Sequence, residues 1–276
     1  ELDSMNLAPS VRFGFETAGW NLYAATHGVT LAGVISPRPR TIVPVNGLLT
    51  GSPAEVLKEA RRMRSAGYEA VKLKVGGRAV EEEVGLVRAV REALGEGVSL
   101  RLDANRAWSF EEGSSFARGV SGLGIEYIEE PLTDPAGLGE FARTCNIPVA
   151  LDESLVGMAP EALEKHHYAS AVVLKPALLG GVSRTLRLAA RALEFGMRPV
   201  ISSAYETGVG TAALVALAAG IGKEEIPAGL DTYRRLAEDV VEPRLPLPAP
   251  RLDVSETVAF GRGVVRSQLI HIGPHR

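Results

Sequence analysis

From Thr41 onward, short apolar runs alternate with amphipathic stretches, and this rhythm limits the fold more than any other feature of the sequence. The apolar runs read as strands at Thr41–Asn46, Ala70–Val75, Val98–Ala104, Glu126–Glu129, Pro148–Asp152, Ala171–Lys175 and Arg198–Ser202, with a weaker eighth near Ala228–Leu230. Between them, Pro53–Ser65, Ala79–Leu94, Phe110–Val120, Pro160–Lys165, Ser183–Phe195 and Glu206–Ala219 carry helical spacing or strong helix formers. Val80, Val84, Val87, Val90 and Leu94, for example, recur at three- and four-residue steps. Asp134-Pro135 reads as the cap and first position of a further short helix.

Strands that alternate with helices imply a parallel sheet. An open, doubly wound sheet is one solution. Seven or eight units over about 190 residues without a break favour the other, an α/β fold built as a TIM-type (β/α)7-8 barrel. Such a barrel makes a demand, because its active site lies at the C-terminal ends of the strands. Side chains alternate between faces along a strand, so Lys72 and Lys74 share the inner face while Val71, Leu73 and Val75 face the helices. Asp103 ends the third strand, Glu129 the fourth, Asp152 the fifth and Lys175 the sixth; Ser202 and Ser203 end the seventh. Arg101 and Asn105 share a face with Asp103, and polar groups there are costly unless they are used.

Three carboxylates from adjacent strands would repel one another and drive one pKa upward. A hard divalent cation resolves the conflict: oxygen donors suit Mg2+, with Mn2+ as a substitute, and no Cys/His cluster speaks for zinc. A metal holding a carboxylate acidifies the carbon beside it. The proton needs a base, and a partly desolvated Lys near a cation has its pKa lowered towards neutrality. Lys74 and Lys175, with Lys72 alongside, stand on either side of the acids. The expected partner is therefore a small-molecule carboxylate.

Bulk properties remove other classes. The 276 residues are 46% hydrophobic and 23% charged, enough for one large α/β domain or two smaller ones. A net charge of -3 and a pI near 6.0 carry no nucleic-acid footprint. The longest apolar run, Gly208 to Gly222, is too short and glycine-rich to span a membrane. Cys145 is the only cysteine, read as a buried apolar filler, and no basic, then apolar leader opens the chain, so a cytoplasmic location is expected. Gly208-Val209-Gly210-Thr211-Ala212-Ala213, with Asp231 downstream, mimics a dinucleotide fingerprint, but a lone glycine pattern is weak. His166-His167 reads as an exposed helix end and Gly180-Gly181 as a turn needing unusual dihedrals. Nothing in the sequence sets an oligomeric state.

Val71-Lys72-Leu73-Lys74, the Asp103 strand, Ile128-Glu129-Glu130-Pro131, Leu151-Asp152-Glu153-Ser154 and Val173-Leu174-Lys175-Pro176 resemble the muconate-lactonising subgroup of the enolase superfamily. Within it, Arg101 to Trp108, Pro9-Ser10-Val11-Arg12-Phe13-Gly14, Ile201-Ser202-Ser203 and Gly229-Leu230-Asp231-Thr232 are similar to the o-succinylbenzoate synthases. The resemblance covers residues 9 to about 235. It implies dehydration of a cyclohexadiene carboxylate in menaquinone biosynthesis, with Asp103, Glu129 and Asp152 on the metal. Lys74 would be the proton-transfer group, Lys175 would stabilise the enediolate, and Lys72 would assist the carboxylate. Arg101, Asn105, Ser202 and Ser203 would contact substrate. N-succinylamino acid racemisation, dipeptide epimerisation and a non-catalytic binding barrel stay open as alternatives.

The resemblance also implies an N-terminal α+β capping domain. About 40 residues precede the barrel, so residues 1–40 are expected to be its remnant, a reduced lid or part of a fragment. Residues 41–236 are then the barrel. Residues 237–276, proline-rich with strand-like runs at Leu252–Val254 and Gln268–Ile272, are expected to pack with the capping module.

Overall fold

The computed structural model describes residues 2–222 and 224–269. Two helices lead in: α1 (Pro9–Thr26) and α2 (Leu31–Ile35). The first expected strand then divides. Its beginning, β1 (Ile42–Pro44), pairs antiparallel with β9 (Arg251–Asp253) outside the barrel. Its end runs on as β2 (Asn46–Leu49), the first barrel strand. The division falls at Val45, whose N–H is taken by the Pro250 carbonyl at 2.8 Å, while Ala228 receives the next N–H and donates to Pro44.

The repeat follows: α3 (Pro53–Ser65), β3 (Ala70–Lys74), α4 (Val80–Leu94), β4 (Ser99–Asp103), α5 (Phe110–Gly119), β5 (Ile125–Glu129), α6 (Leu138–Thr144), β6 (Val149–Leu151) and β7 (Ala169–Leu174). It ends with α7 (Pro176–Leu179), α8 (Val182–Glu194), β8 (Arg198–Ile201) and α9 (Gly208–Gly220); α10 (Val254–Phe260) comes after β9. Ser52 and Ser109 open α3 and α5 with reciprocal capping boxes to Glu55 and Glu112, which fixes where those helices start. Pro160–His166 winds as a 3-10 helix instead of the expected α-helix. The expected Gln268–Ile272 strand begins instead in a 3-10 turn, Arg266–Gln268; residues 270–272 lie outside the described residues.

Strands β2 to β8 form one parallel sheet in sequence order. The weak eighth strand survives only as two bridges, Ala228 to Val45 and Gly229 to Ser202, which join the sheet's two edges and close the barrel. A Cβ at Gly229 would lie 2.6 Å from Ser202 Oγ and 3.2 Å from its Cβ, so a larger residue at this seam would displace that serine. Pairing is in register at the functional end: Lys74 lies beside Asp103, and Asp103 beside Glu129. Leu73, Leu100, Leu102, Ile128, Leu151 and Leu174 point outward into the core beneath the helices, all fully buried. Tyr127, Ala150, Ala171, Val173 and Val200 form a separate small cluster inside the barrel.

Outside the repeat, α1 packs on α7 and α8, while α2 and α10 both pack on α9. Arg40 locks the C-terminal end of α9 through the carbonyls of Ala218, Ile221 and Gly222. Among the described residues no helix is long and apolar enough to cross a membrane. Leu102→Ala, which empties the outer core and leaves the inner face intact, should cost about 2–5 kcal/mol in urea unfolding.

Candidate active site

The inner face of the barrel's C-terminal end holds three buried acids. Asp103 ends β4, Glu129 ends β5 and Asp152 follows β6; oxygens from all three lie within 4.8 Å of one another. Three ammonium groups meet them. Lys72 Nζ is 3.0 Å from Asp103 Oδ2 and 3.0 Å from Glu129 Oε2. Lys74 Nζ donates to Asp103 Oδ2 at 2.7 Å and to Asn105 Oδ1 at 2.6 Å. Lys175, at the end of β7, donates to Asp152. Lys74 is the most open of the three, its side chain 36% exposed against 11% for Lys72 and 17% for Lys175.

Burial and neighbours divide the acids. Burial pushes the Glu129 carboxyl from its ordinary 4.5 up to about 8; Lys72 opposes this, and Asp103 and Asp152 reinforce it. Burial acts on Asp103 in the same direction, but Lys72 and Lys74 outweigh it and hold that carboxyl below the usual range. Burial also raises Asp152, against the pull of Lys175. Lys72 shows the converse: burial works to lower it, and Glu129 and Asp103 prevail, keeping it charged.

Lys72, Lys74, Lys175, Ser202 and Ser203 all line one cavity of about 290 Å3, with Leu178, Tyr205 and Asp231 among its other walls. Ser203 is partly committed: its hydroxyl donates to Glu206 Oε2 at 2.5 Å and accepts the Tyr205 N–H at 3.1 Å. Asn105 does not line the cavity. It bridges Lys74 to Glu153, whose Oε1 accepts its amide at 3.0 Å, and so orients the lysine.

Arg101 is corrected more strongly. It shares the inner face with Asp103 but is only 1% exposed and lies outside the cavity. Its guanidinium donates to Glu126 at 2.8 and 3.2 Å and to the Pro227 carbonyl at 2.8 Å, above the Tyr127 ring. Arg198 and Ser99 complete that cluster around Glu126. The expected substrate contact is thus a structural ion pair inside the barrel. Glu126 and Glu130 were both missed as site-building residues. The signals were present: a buried guanidinium requires a carboxylate nearby, and two adjacent acids on one strand cannot both face inward.

The dinucleotide reading loses its basis. The Gly208 N–H that would meet a phosphate is already taken by both oxygens of Asp239, at 2.9 and 3.0 Å. Of the pair read as an exposed helix end, His167 is exposed, whereas His166 is half-buried and its Nδ1 pairs with the Tyr168 hydroxyl at 2.9 Å. Gly180 and Gly181 do adopt left-handed backbones, at φ 93° and 115°.

A family model described as "Enolase C-terminal domain-like" matches residues 55–266. The chain belongs to this family. It is 39% identical over 249 residues to an o-succinylbenzoate synthase of Thermobifida fusca, covering 87% of this chain and 76% of that protein. It is 35% identical over 270 residues to "Protein PHYLLO, chloroplastic" of Arabidopsis thaliana, covering 87% of this chain but only 16% of the plant protein. The solved muconate cycloisomerase of Pseudomonas fluorescens superposes with a TM-score of 0.82 at 27% identity, over 91% of this chain and 71% of that one.

Lysine bases paired with divalent cations are an established feature of the enolase superfamily. The donor set fits one: three buried carboxylates, oxygen only, close enough to share a single hard ion. Because the folded, metal-free site holds Glu129 protonated more tightly than the unfolded chain does, this group's stabilisation is complete below about pH 4.5 and is lost as pH rises through about 8. Metal uptake near pH 7 should therefore release about one proton, fading well above pH 8, as read by calorimetry in buffers of different ionisation enthalpy. Glu126→Ala, which strands Arg101, should cost about 3–5 kcal/mol in urea unfolding and leave metal affinity unchanged.

Proposed function

We propose that this chain carries out the o-succinylbenzoate synthase reaction: metal-dependent syn-elimination of water from 2-succinyl-6-hydroxy-2,4-cyclohexadiene-1-carboxylate, giving 2-succinylbenzoate for menaquinone biosynthesis. The observation that carries this reading is the 39% identity to the Thermobifida fusca synthase across 87% of the chain. Asp103, Glu129 and Asp152 would hold the divalent cation, Mg2+ or Mn2+, which when bound polarises the substrate carboxylate and acidifies the carbon beside it.

The residues then divide the work. Lys74, the most open lysine, takes the α-proton, and the electrons of the broken C–H bond form the enediolate. Those electrons next expel the hydroxyl from the ring, and Lys74 returns its proton so that water leaves from the same face. Gain of aromaticity drives this second step. Lys175, across the acids from Lys74, supports the enediolate with its charge. Lys72, buried between Asp103 and Glu129, keeps its ammonium and helps hold the substrate carboxylate. Ser202 and Ser203, at the end of β8, would face the succinyl arm. A cytoplasmic setting accords with a single free cysteine, Cys145.

One observation favours a second reading, racemisation of N-succinylamino acids or epimerisation of dipeptides. Lys74 and Lys175 reach one cavity from opposite sides of the acid row, as acid and base on two faces would require. Incubation with Mg2+ and the hydroxycyclohexadiene substrate, followed by absorbance of the aromatic product, separates the two. Turnover supports dehydration; no turnover alongside racemisation of N-succinylamino acids replaces it with the second reading. Lys74→Ala should lower kcat by about 10²–10⁴-fold and abolish α-proton exchange with deuterated water while metal still binds. Retained exchange would overturn its role as base.

A further inference from the structure

Glu130 is fully buried, lies outside the cavity, and takes no part in the steps above. Its carboxylate nevertheless uses both oxygens completely. Oε1 accepts the backbone N–H groups of Asp152 at 3.0 Å and Ser154 at 2.8 Å. Oε2 accepts the Ser154 hydroxyl at 2.9 Å and Arg106 Nε at 3.0 Å. Arg106 closes the ring by donating Nη2 to Ser154 Oγ at 2.9 Å, and its own N–H goes to the Glu130 carbonyl at 2.7 Å. One side chain thus ties together the three segments that follow β4, β5 and β6. Those are the segments that present Asp103, Glu129 and Asp152.

The backbone there is strained. Asn105, Arg106 and Glu130 have φ of 45°, 60° and 38°, left-handed values that non-glycine residues hold only where their surroundings over-determine them. At Glu130 the reversal sends one acid of the Glu129-Glu130 pair inward to the cluster and the next one sideways into the ring. Backbone bonds from Arg106 to the Glu130 carbonyl and from Glu130 to the Ala150 carbonyl pin each turn singly. The four acceptor bonds of the Glu130 side chain are what join all three segments at one point, so their loss leaves the adjoining acids freer to move apart.

We infer that Glu130 is a positioning residue that sets the mutual spacing of Asp103, Glu129 and Asp152 and thereby the affinity for a divalent cation. The inference rests on the reading of those acids as metal ligands. A carboxylate has about four acceptor sites, and here all are used; an amide accepts only through its one oxygen, so Glu130→Gln must forfeit one half of the ring.

The test uses Mn2+ as the probe, with the full chain, by calorimetry and electron paramagnetic resonance. Outer-shell changes of this kind weaken metal binding about 10–100-fold, so Glu130→Gln should raise the Mn2+ Kd by that factor and alter the zero-field splitting of the bound ion. Ser154→Ala and Arg106→Lys, each removing part of the ring, should act in the same direction with smaller effect. Leu102→Ala serves as the control for mere loss of stability and should leave both readouts at wild-type values. Wild-type affinity and line shape in folded Glu130→Gln overturn the inference; if that variant does not fold, wild-type values in both Ser154→Ala and Arg106→Lys do so. If the unaltered protein binds no Mn2+, the metal reading and this inference fail together. Absence of dehydration with Mn2+ affinity still dependent on Glu130 sinks only the proposed reaction.

Discussion

Charge balance at the C-terminal mouth of the barrel governs the rest of the structure. Three acids with at most 4% exposure would be prohibitive alone, since each isolated buried ion costs several kcal/mol. Lys72, Lys74 and Lys175 offset them unevenly: burial, with Asp103 and Asp152 beside it, pushes the Glu129 carboxyl upward against the pull of Lys72. The lysines assigned to the chemistry are thus the groups that hold the metal-free site together. In the proposed reaction Lys74 and Lys175 would have to give up their bonds to Asp103 and Asp152, so occupancy of the acid cluster and availability of the lysines would be linked by geometry.

The barrel makes this balance attainable because parallel register sets Lys74, Asp103 and Glu129 side by side. A second polar layer lies deeper, where Arg101 and Arg198 share Glu126. Between and around these layers the interior is filled by Tyr127 and small or β-branched residues, Ala150, Ala171, Val173 and Val200. The two ionic layers therefore act on different properties: the lower supports the fold and the upper confronts the cavity.

The strand–helix rhythm and the inward-facing Lys72, Lys74, Asp103, Glu129, Asp152 and Lys175 were legible because period-two alternation is a local property of a strand. Depth was not. Arg101 faces the same way as Asp103 but sits two residues earlier, about 6–7 Å deeper at the usual rise per residue, and so falls in the lower layer. Asn105 escaped for another reason: with φ at 45° the strand has ended, and alternation no longer tells where its side chain goes. Ser203 is expected to contact substrate, yet its hydroxyl donates to Glu206, three residues on, a turn contact invisible to a strand pattern. The split of the first strand at Val45 depends on Pro250 and Ala228, some two hundred residues away, which no local pattern carries.

Long-range fixing of this kind also joins the leading helix to the site. Glu16 on α1, buried at 6% exposure, accepts the Ser183 N–H at 2.7 Å and Arg12 Nε at 2.8 Å. It therefore caps the N-terminus of α8, where the chain's own residue, Gly181, has no side chain to do so. A Cβ at Gly181 would lie 2.6 Å from the Glu16 carboxyl carbon, and its φ of 115° excludes other residues as well. The glycine and the distant carboxylate are a matched pair. Because Gly181 lies only six residues beyond Lys175, a negative charge delivered by α1 fixes the segment that leads away from that lysine. The helix before the barrel thereby becomes part of what holds one wall of the cavity in place.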